Sequence, residues 1–358
     1  MSTGFHTLAI TDVRRETGNA ITVRFAVPDA LVGQFRFHPG QHLTLRADIG
    51  GEDLRRSYSI CSTPNEAEPR VAIKRVDGGR FSNWANDALH KGATLEVMPP
   101  AGAFTWHFEP DRQAQYAMFA SGSGITPILS LLKSGLEAEP RSRFALFYGN
   151  RESSSVLFSE EIAQLKNSCM DRLEIHHFLS REDDEFEILN GRIDSRKMED
   201  ILARFLPAGA IDTAFVCGPA AMMEAVEASL IKAGLDENRI KSERFTAGEL
   251  SEERREVVEQ LEKQAAGRSI RITINGKRRT VIYDPALESI LENSRAAGLP
   301  APFACKAGVC ATCRAKVLRG KVEMIRHFGL SDEEIERGYV LTCQSIPMSD
   351  DVEIDFDA

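Results

Sequence analysis

Cys305-Lys306-Ala307-Gly308-Val309-Cys310-Ala311-Thr312-Cys313, answered far downstream by Cys343, decides how this chain is read. The spacing is C-x4-C-x2-C with a distant fourth cysteine, which is how four thiolates hold a [2Fe–2S] cluster. The small residues around and between them, Ala304, Ala307, Gly308, Val309, Ala311 and Thr312, let backbone N–H groups approach the bridging sulfides. Cys343 closes the cage from a separate segment, Tyr339-Val340-Leu341-Thr342-Cys343. Zinc favours two paired C-x2-C knuckles, and only one close pair is present. Disulfides need an oxidising compartment, of which the chain shows no sign. Cys305, Cys310, Cys313 and Cys343 are therefore the expected metal ligands, and the chain is expected to handle single electrons.

The remaining numbers bound the possibilities. A length of 358 residues suits two or three domains, each with its own core. Hydrophobic residues at 42% and charged residues at 27% are ordinary for a globular protein. The start, Met1-Ser2-Thr3-Gly4-Phe5-His6, lacks a basic stretch followed by an apolar run. No stretch approaches the ~20 apolar residues of a membrane span. Seven cysteines fit a reducing cytoplasm, four on a cluster and the others free; Cys61 and Cys169 read as packing. The net charge of −9 argues against nucleic acid as a partner. Over residues 268–358 Lys and Arg balance Asp and Glu, so the acidity lies elsewhere in the chain.

Outward from the cysteine loop, residues 268–358 open with strand, turn and strand (Ile270–Ile274, Asn275-Gly276, Thr280–Tyr283) and a helix over Ala286–Ala297. Residues 248–267 are highly charged and bounded by glycines, which predicts a linker with at most a short solvated helix. In residues 111–247, apolar strands (Tyr116–Ala120, Phe144–Tyr148, Leu173–Phe178, Ala214–Cys217) alternate with helices (Pro127–Leu136, Glu160–Lys166, Ala220–Lys232), the rhythm of a parallel α/β sheet. Residues 1–110 carry short alternating runs such as Ala20–Phe25 and Val71–Val76, broken at Pro39-Gly40, Gly50-Gly51 and Gly78-Gly79. They predict a small antiparallel β-barrel.

Two groups of motifs carry chemistry. Arg56-Ser57-Tyr58-Ser59 ends a barrel strand. Were a flavin to lie there, Arg56 would fork onto its pyrophosphate, Tyr58 stack on the ring and Ser59 reach the N5 edge. Gly78-Gly79-Arg80-Phe81-Ser82 precedes the helical stretch Trp84–Leu89 and offers backbone N–H groups to the same phosphates. Gly79, Phe81 and Ser82 join that set, as does Lys74 on the preceding strand. Gly122-Ser123-Gly124-Ile125-Thr126-Pro127 follows the first α/β strand, where Gly122, Gly124, Thr126 and Pro127 would admit a dinucleotide pyrophosphate at a helix start. Cys217-Gly218-Pro219 ends another strand at the same sheet edge. A simple tight turn, or a packed free cysteine, is the plainer reading of each motif by itself.

In this order the motifs resemble the ferredoxin–NADP reductase family over residues 5–246, with a plant-type ferredoxin following. The fused order, with Tyr148-Gly149-Asn150-Arg151 between, resembles the reductase subunits of phenylacetyl-CoA epoxidase systems; reductases of 3-ketosteroid 9α-hydroxylase and some aromatic-ring hydroxylases are similar. The resemblance implies an FAD-binding β-barrel domain, an NAD(P)-binding α/β domain and a β-grasp-like α+β ferredoxin domain. It implies electron flow from NADPH, less favourably NADH, through FAD and the [2Fe–2S] cluster to a partner oxygenase. The partner implied is a multi-subunit di-iron phenylacetyl-CoA oxygenase, with a steroid or aromatic-ring hydroxylase as alternative, or a diffusible acceptor with the ferredoxin as docking module. Cys217 would lie near the nicotinamide ring, with Gly218, Pro219 and Met222 about it. Ser180 and Arg181 resemble the 2′-phosphate-binding pair of NADP-specific members, with Arg151 nearby, although Glu152 and Glu182 are adjacent acids. Glu243 would approach N5, alongside Ser59, and Phe245 would cover the ring. Lys306, Val309 and Arg314, around the cluster loop, are expected to offer the partner a mixed apolar and basic patch.

Overall fold

The computed structural model describes residues 4–183, 185–245 and 252–358. The first unit is a six-stranded antiparallel sheet of β1 (His6–Thr17), β2 (Ala20–Ala26), β3 (His42–Asp48), β4 (Asp53–Ser59), β5 (Arg70–Lys74) and β6 (Thr94–Val97), ordered β4-β3-β6-β1-β2-β5. Ile60, just past β4, pairs with Val71 of β5, so the two edge strands meet and the sheet closes into a barrel. Alternating residues such as Leu8, Ile10, Val23, Phe25, Leu43 and Leu45 point inward and are buried, as a period of two demands. Helix α1 (Arg80–Ala88) starts at Gly79, earlier than the expected Trp84, and seals one end with Phe81 and Ala85.

The second unit is a parallel sheet of β7 (Gln115–Ser121), β8 (Arg143–Asn150), β9 (Leu173–Leu179), β10 (Thr213–Cys217) and β11 (Ile240–Glu243), ordered β11-β10-β7-β8-β9. Helices α2 (Ile125–Ala138), α3 (Ser159–Ser168), α4 (Ser195–Arg204) and α5 (Ala220–Lys232) connect and cover it. The order reverses between β7 and β10, and ligands of such sheets lie outside the strand ends at that point. Gly122-Ser123-Gly124 and Cys217-Gly218-Pro219 both leave the sheet there. The helix α4 had no counterpart in the sequence reading; Asp194 caps it by accepting from the Lys197 N–H at 2.8 Å.

Barrel and parallel sheet are clamped together away from that crevice. Lys133 of α2 meets Glu66 of the barrel at 2.6 Å and Glu161 of α3 at 2.7 Å, and Arg70 of β5 reaches Glu161 at 2.6 Å. The Ser130 hydroxyl donates to the Ser62 carbonyl at 2.7 Å. These half-buried pairs fix the angle at which the two strand-end edges face each other.

In the remaining residues, α6 (Glu252–Ala265), β12 (Ser269–Ile274), β13 (Lys277–Ile282), α7 (Ile290–Ala296), β14 (Arg314–Arg319), β15 (Val322–Met324), α8 (Asp332–Glu336), β16 (Tyr339–Leu341), β17 (Ser345–Pro347) and β18 (Val352–Asp355) follow in turn. The main sheet runs β13-β12-β18-β14-β16, with β12 and β18 parallel and every other pair antiparallel. This is the β-grasp form of a ferredoxin. Asn275 and Gly276 turn the first hairpin with φ of 49° and 68°, both left-handed, as an Asn-Gly hairpin requires. Helix α7 starts later than the expected Ala286, because Pro285–Leu287 forms a separate 3-10 turn and Ser289 caps the helix at the Glu292 N–H. The charged stretch read as linker is largely the helix α6. Its Val258 and Ala265 are buried among Ile270, Ile346 and their neighbours, with Leu261 packed beside them. Residues 246–251 lie outside the described residues.

Candidate functional site

A cleft of about 1270 Å³ opens where the barrel, the parallel sheet and the cysteine loop meet. It exceeds the ~300–1,000 Å³ of a single small-molecule site. From the barrel it takes Arg56, Ser57, Tyr58 and Ser59 at the end of β4, and Lys74 at the end of β5. Gly79, Phe81 and Ser82 line it at the start of α1. The Tyr58 and Phe81 rings lie 5.9 Å apart, which places aromatic surface beside the helix N-terminus. Arg56 has no acidic partner among the described residues and is held by its own strand, donating to the Arg55 carbonyl at 2.7 Å. Burial, with Arg151 nearby, pushes Lys74 below its ordinary range. A flavin fits this wall: a free guanidinium and helix N–H groups suit phosphate, and Tyr58 suits a flat ring.

The opposite wall is the switch point. Gly122, Gly124 and Thr126 line it from one strand end, and Gly218, Pro219 and Met222 from the other. A Cβ at Gly124 would collide with the Cys217 carbonyl and lie 2.9 Å from the Gly218 nitrogen, so only glycine lets the two turns touch. Tyr148 braces them, donating to the Gly122 carbonyl at 3.0 Å. Pro127 and Cys217 do not line the cleft. Pro127 is buried in the first turn of α2, and Cys217 is fully buried behind Gly218. Burial, and then the Glu243 charge, raises the Cys217 thiol well above its ordinary value, so it stays protonated.

Glu243 ends β11 opposite Cys217 and accepts from the Ser59 hydroxyl at 3.1 Å, joining the two lobes across the cleft. The residue as a whole is half-buried, yet its carboxyl is enclosed by protein, and burial pushes it up to about 8. At neutral pH this is a proton-bearing group beside a hydroxyl. Phe245 follows at the cleft rim, 39% exposed.

Arg151, Ser180 and Arg181 gather at the far end, where β8 and β9 finish. Of the two acids beside them, Glu182 is occupied: it accepts from the Ser153 backbone N–H at 3.0 Å and its hydroxyl at 3.1 Å. Glu152 has a 3.5 Å contact from the Ser154 hydroxyl. Arg181 lies 4.0 Å from Glu152, a loose pairing that leaves its guanidinium available. Sequence reasoning missed Asn150, which is buried with neither side-chain polar atom paired among the described residues, although it stands in the quoted Tyr148–Arg151 segment. It also missed Arg192, which lines the same end.

The cysteine loop closes the third side, with Cys305, Val309 and Cys310 on the cleft. All four thiols are free. They fall into two pairs, Cys305 with Cys310 and Cys313 with Cys343. Among the described residues no group of three or more metal-ligating side chains surrounds a single point. A two-iron cluster with four cysteines takes two thiolates per iron, so two pairs are what it needs. Lys306, Gly308 and Ala311 all have left-handed backbone, with φ of 53°, 77° and 52°. That coiling turns N–H groups toward sulfur: Ala307 donates to Cys305 Sγ at 3.3 Å. A Cβ at Gly308 would lie 2.9 Å from Gln344 Cγ, so this turn admits nothing larger. The loop fits the cluster. The patch expected around it is different: Val309 faces the cleft, Lys306 pairs with Glu292 at 2.9 Å, and Arg314 pairs with Glu334.

Comparison with known proteins agrees with this geometry. The family described as "Oxidoreductase FAD-binding domain" matches residues 7–106, "Oxidoreductase NAD-binding domain" residues 118–228, and "2Fe-2S iron-sulfur cluster binding domain" residues 272–348. The chain is 43% identical to one of the subunits of 1,2-phenylacetyl-CoA epoxidase from Escherichia coli (strain K12), over 99% of each chain. It is 34% identical to the ferredoxin reductase component of 3-ketosteroid-9-alpha-monooxygenase from Rhodococcus rhodochrous, over 98% of this chain and 96% of that one. Among solved structures, phthalate dioxygenase reductase, described as a modular structure for electron transfer from pyridine nucleotides to [2Fe-2S], matches with a TM-score of 0.60. That match covers 99% of this chain and 98% of that one at 23% identity and speaks for the fold.

Proposed function

We infer, since this chain belongs to the family of oxygenase reductase components that join FAD-, NAD- and [2Fe–2S]-binding domains, that it draws its electrons from NADPH and serves a multi-subunit di-iron phenylacetyl-CoA oxygenase. The observation that carries the reading is the single cleft on which the end of β4, the glycine turns and the cysteine loop converge. When bound, the flavin accepts two electrons from the nicotinamide and the cluster carries them onward singly. Everything else is the work of side chains.

Arg56 and the N–H groups at the start of α1 hold the flavin phosphates, and Tyr58 packs on its ring. Ser59 and Glu243 supply a proton-bearing hydroxyl and carboxyl, 3.1 Å apart, at the edge where the nicotinamide arrives. Gly122, Gly124 and Gly218 let the nicotinamide pyrophosphate approach the strand ends. Ser180 and Arg181 select NADPH, because Glu182, the acid that follows them and could receive a free 2′-hydroxyl, is engaged with Ser153. A reducing cytoplasm belongs to the same reading, since the cage requires thiolates; among the described residues no helix is long and apolar enough to cross a membrane. The partner is supported by the relative at 43% identity over nearly the whole length of both chains.

The test has two stages. Anaerobic titration with NADPH should bleach the flavin bands and the cluster shoulder together. The chain should then drive NADPH-dependent oxygenation by a purified phenylacetyl-CoA oxygenase. Failure there, with efficient support of a steroid hydroxylase, would move the protein to that partner.

A further inference from the structure

No motif marks His42, yet it stands on the seam between the barrel and the cysteine loop. It begins β3 directly across from Ser59, so one strand pair carries both the cleft wall and this imidazole. Its main chain is fixed on both sides: the N–H donates to the Ala101 carbonyl at 2.9 Å, and its carbonyl accepts from the Ala101 N–H at 3.0 Å. The residue is only 4% exposed. A Cβ at Gly102 would lie 2.9 Å from Nδ1, so the barrel packs one edge of the ring closely. His42 and Cys310 line the same cleft, the one from the barrel and the other from the cysteine loop. Nε2 is buried without a hydrogen-bond partner among the described residues.

The neighbours extend this contact. Thr44, two residues on and on the same face, lies 3.1 Å from the Ser57 hydroxyl and 3.4 Å from the Thr312 hydroxyl. Arg55 of β4 stacks its guanidinium over the Phe303 ring at 4.0 Å. Residues 303–312 therefore bear on the β3–β4 edge, where His42 shares the cleft lining with Cys305 and Cys310.

We propose that His42 is a positioning residue for internal electron transfer: it seats Cys310 against the flavin cleft and fills the gap between the two redox sites with packed atoms. The inference rests on the reductase reading above. One electron at a time crosses the seam; the flavin site is oxidised by one electron, the cluster site is reduced by one, and His42 exchanges neither electron nor proton. Tunnelling decays more slowly through packed atoms than across a gap. A looser seat lengthens the path for every electron.

The experiment uses the holoprotein and its H42A, H42Q and H42F variants. Anaerobic stopped-flow mixing with NADPH follows flavin bleaching and cluster reduction as separate phases, and amide hydrogen exchange follows residues 305–313. In H42A the flavin phase should keep its rate, while cluster reduction slows about tenfold or more, as misplaced redox partners do. Exchange in the loop should rise, and H42Q, which retains a polar group of similar reach, should recover most of the rate. Should H42A fail to fold, H42F keeps the volume without the nitrogens, and a slow cluster phase beside a normal flavin phase supports the same conclusion. Cluster reduction at the wild-type rate with unchanged exchange would overturn it, as would an equal slowing of both phases. A wild-type cluster that took no electron from its flavin would overturn this inference and the reductase reading together; a defect confined to the variants concerns His42 alone.

Discussion

Replacing Arg181 with alanine tests how the cleft tells its two possible nucleotides apart. The Arg181 backbone N–H donates to the Arg151 carbonyl at 2.9 Å, so truncating the side chain leaves the end of β9 in place. The side chain is 60% exposed and its nearest acid, Glu152, is 4.0 Å away, so little internal pairing is lost. A hydrogen bond to a charged group contributes ~1.5–3 kcal/mol. Exposure screens this, as it does surface ion pairs, which argues for about 1–1.5 kcal/mol here. That is about a five- to tenfold fall in kcat/KM. The fall should appear with NADPH and be nearly absent with NADH, because only NADPH carries the 2′-phosphate. Steady-state reduction of ferricyanide with each nucleotide measures it without engaging an oxygenase. Raising the ionic strength should shrink the NADPH difference between wild type and R181A. An equal loss with both nucleotides would refute the argument and assign Arg181 to the shared pyrophosphate; no loss would remove it from the site.

Four further outcomes follow from the same geometry. R56A should purify depleted of flavin, read as the ratio of visible to ultraviolet absorbance, since no other acid-free guanidinium among the described residues of that wall replaces its fork; full occupancy would displace the site. C305S should lose the cluster's visible absorbance and yet keep NADPH–ferricyanide activity, because that assay needs only the flavin. Glu243 titrates near 8 in the fold against an ordinary value of 4.5, so the folded state binds the extra proton and stability falls as pH rises through that window. E243Q should accordingly show a smaller drop in unfolding midpoint between acidic and alkaline buffer than wild type, and an unchanged drop would mean the carboxyl is solvated. G124A should weaken nicotinamide binding and destabilise the α/β unit, because its methyl group collides with the Cys217 carbonyl; a variant with normal kinetics would show that the turns can separate freely.

The features legible in the sequence are those written within a few consecutive residues. The cage could be read because ligand spacing along a tight loop is itself the chemical requirement, and Asn275-Gly276 because a left-handed turn restricts residue type. The alternation of strand and helix over residues 111–247 follows from periodicity, although the helix Ser195–Arg204 went unread despite Met198, Ile201 and Leu202 at helical spacing behind the Asp194 cap. The family motifs located each strand end, but not how those ends face one another. The resemblance brought Glu243 and Ser59 to one edge, but tertiary structure alone decided that Glu182 is spent on Ser153 and that Lys306 turns to Glu292. It also turned Val309 inward and set His42 on the same cleft as Cys310. The charged stretch before residue 268 became a packed helix, because Val258 and Ala265 found the ferredoxin core to bury against. Such pairings depend on the angle between separately folded surfaces, and that angle is set by contacts such as Lys133 with Glu66 and Glu161, which leave no period or spacing along the chain.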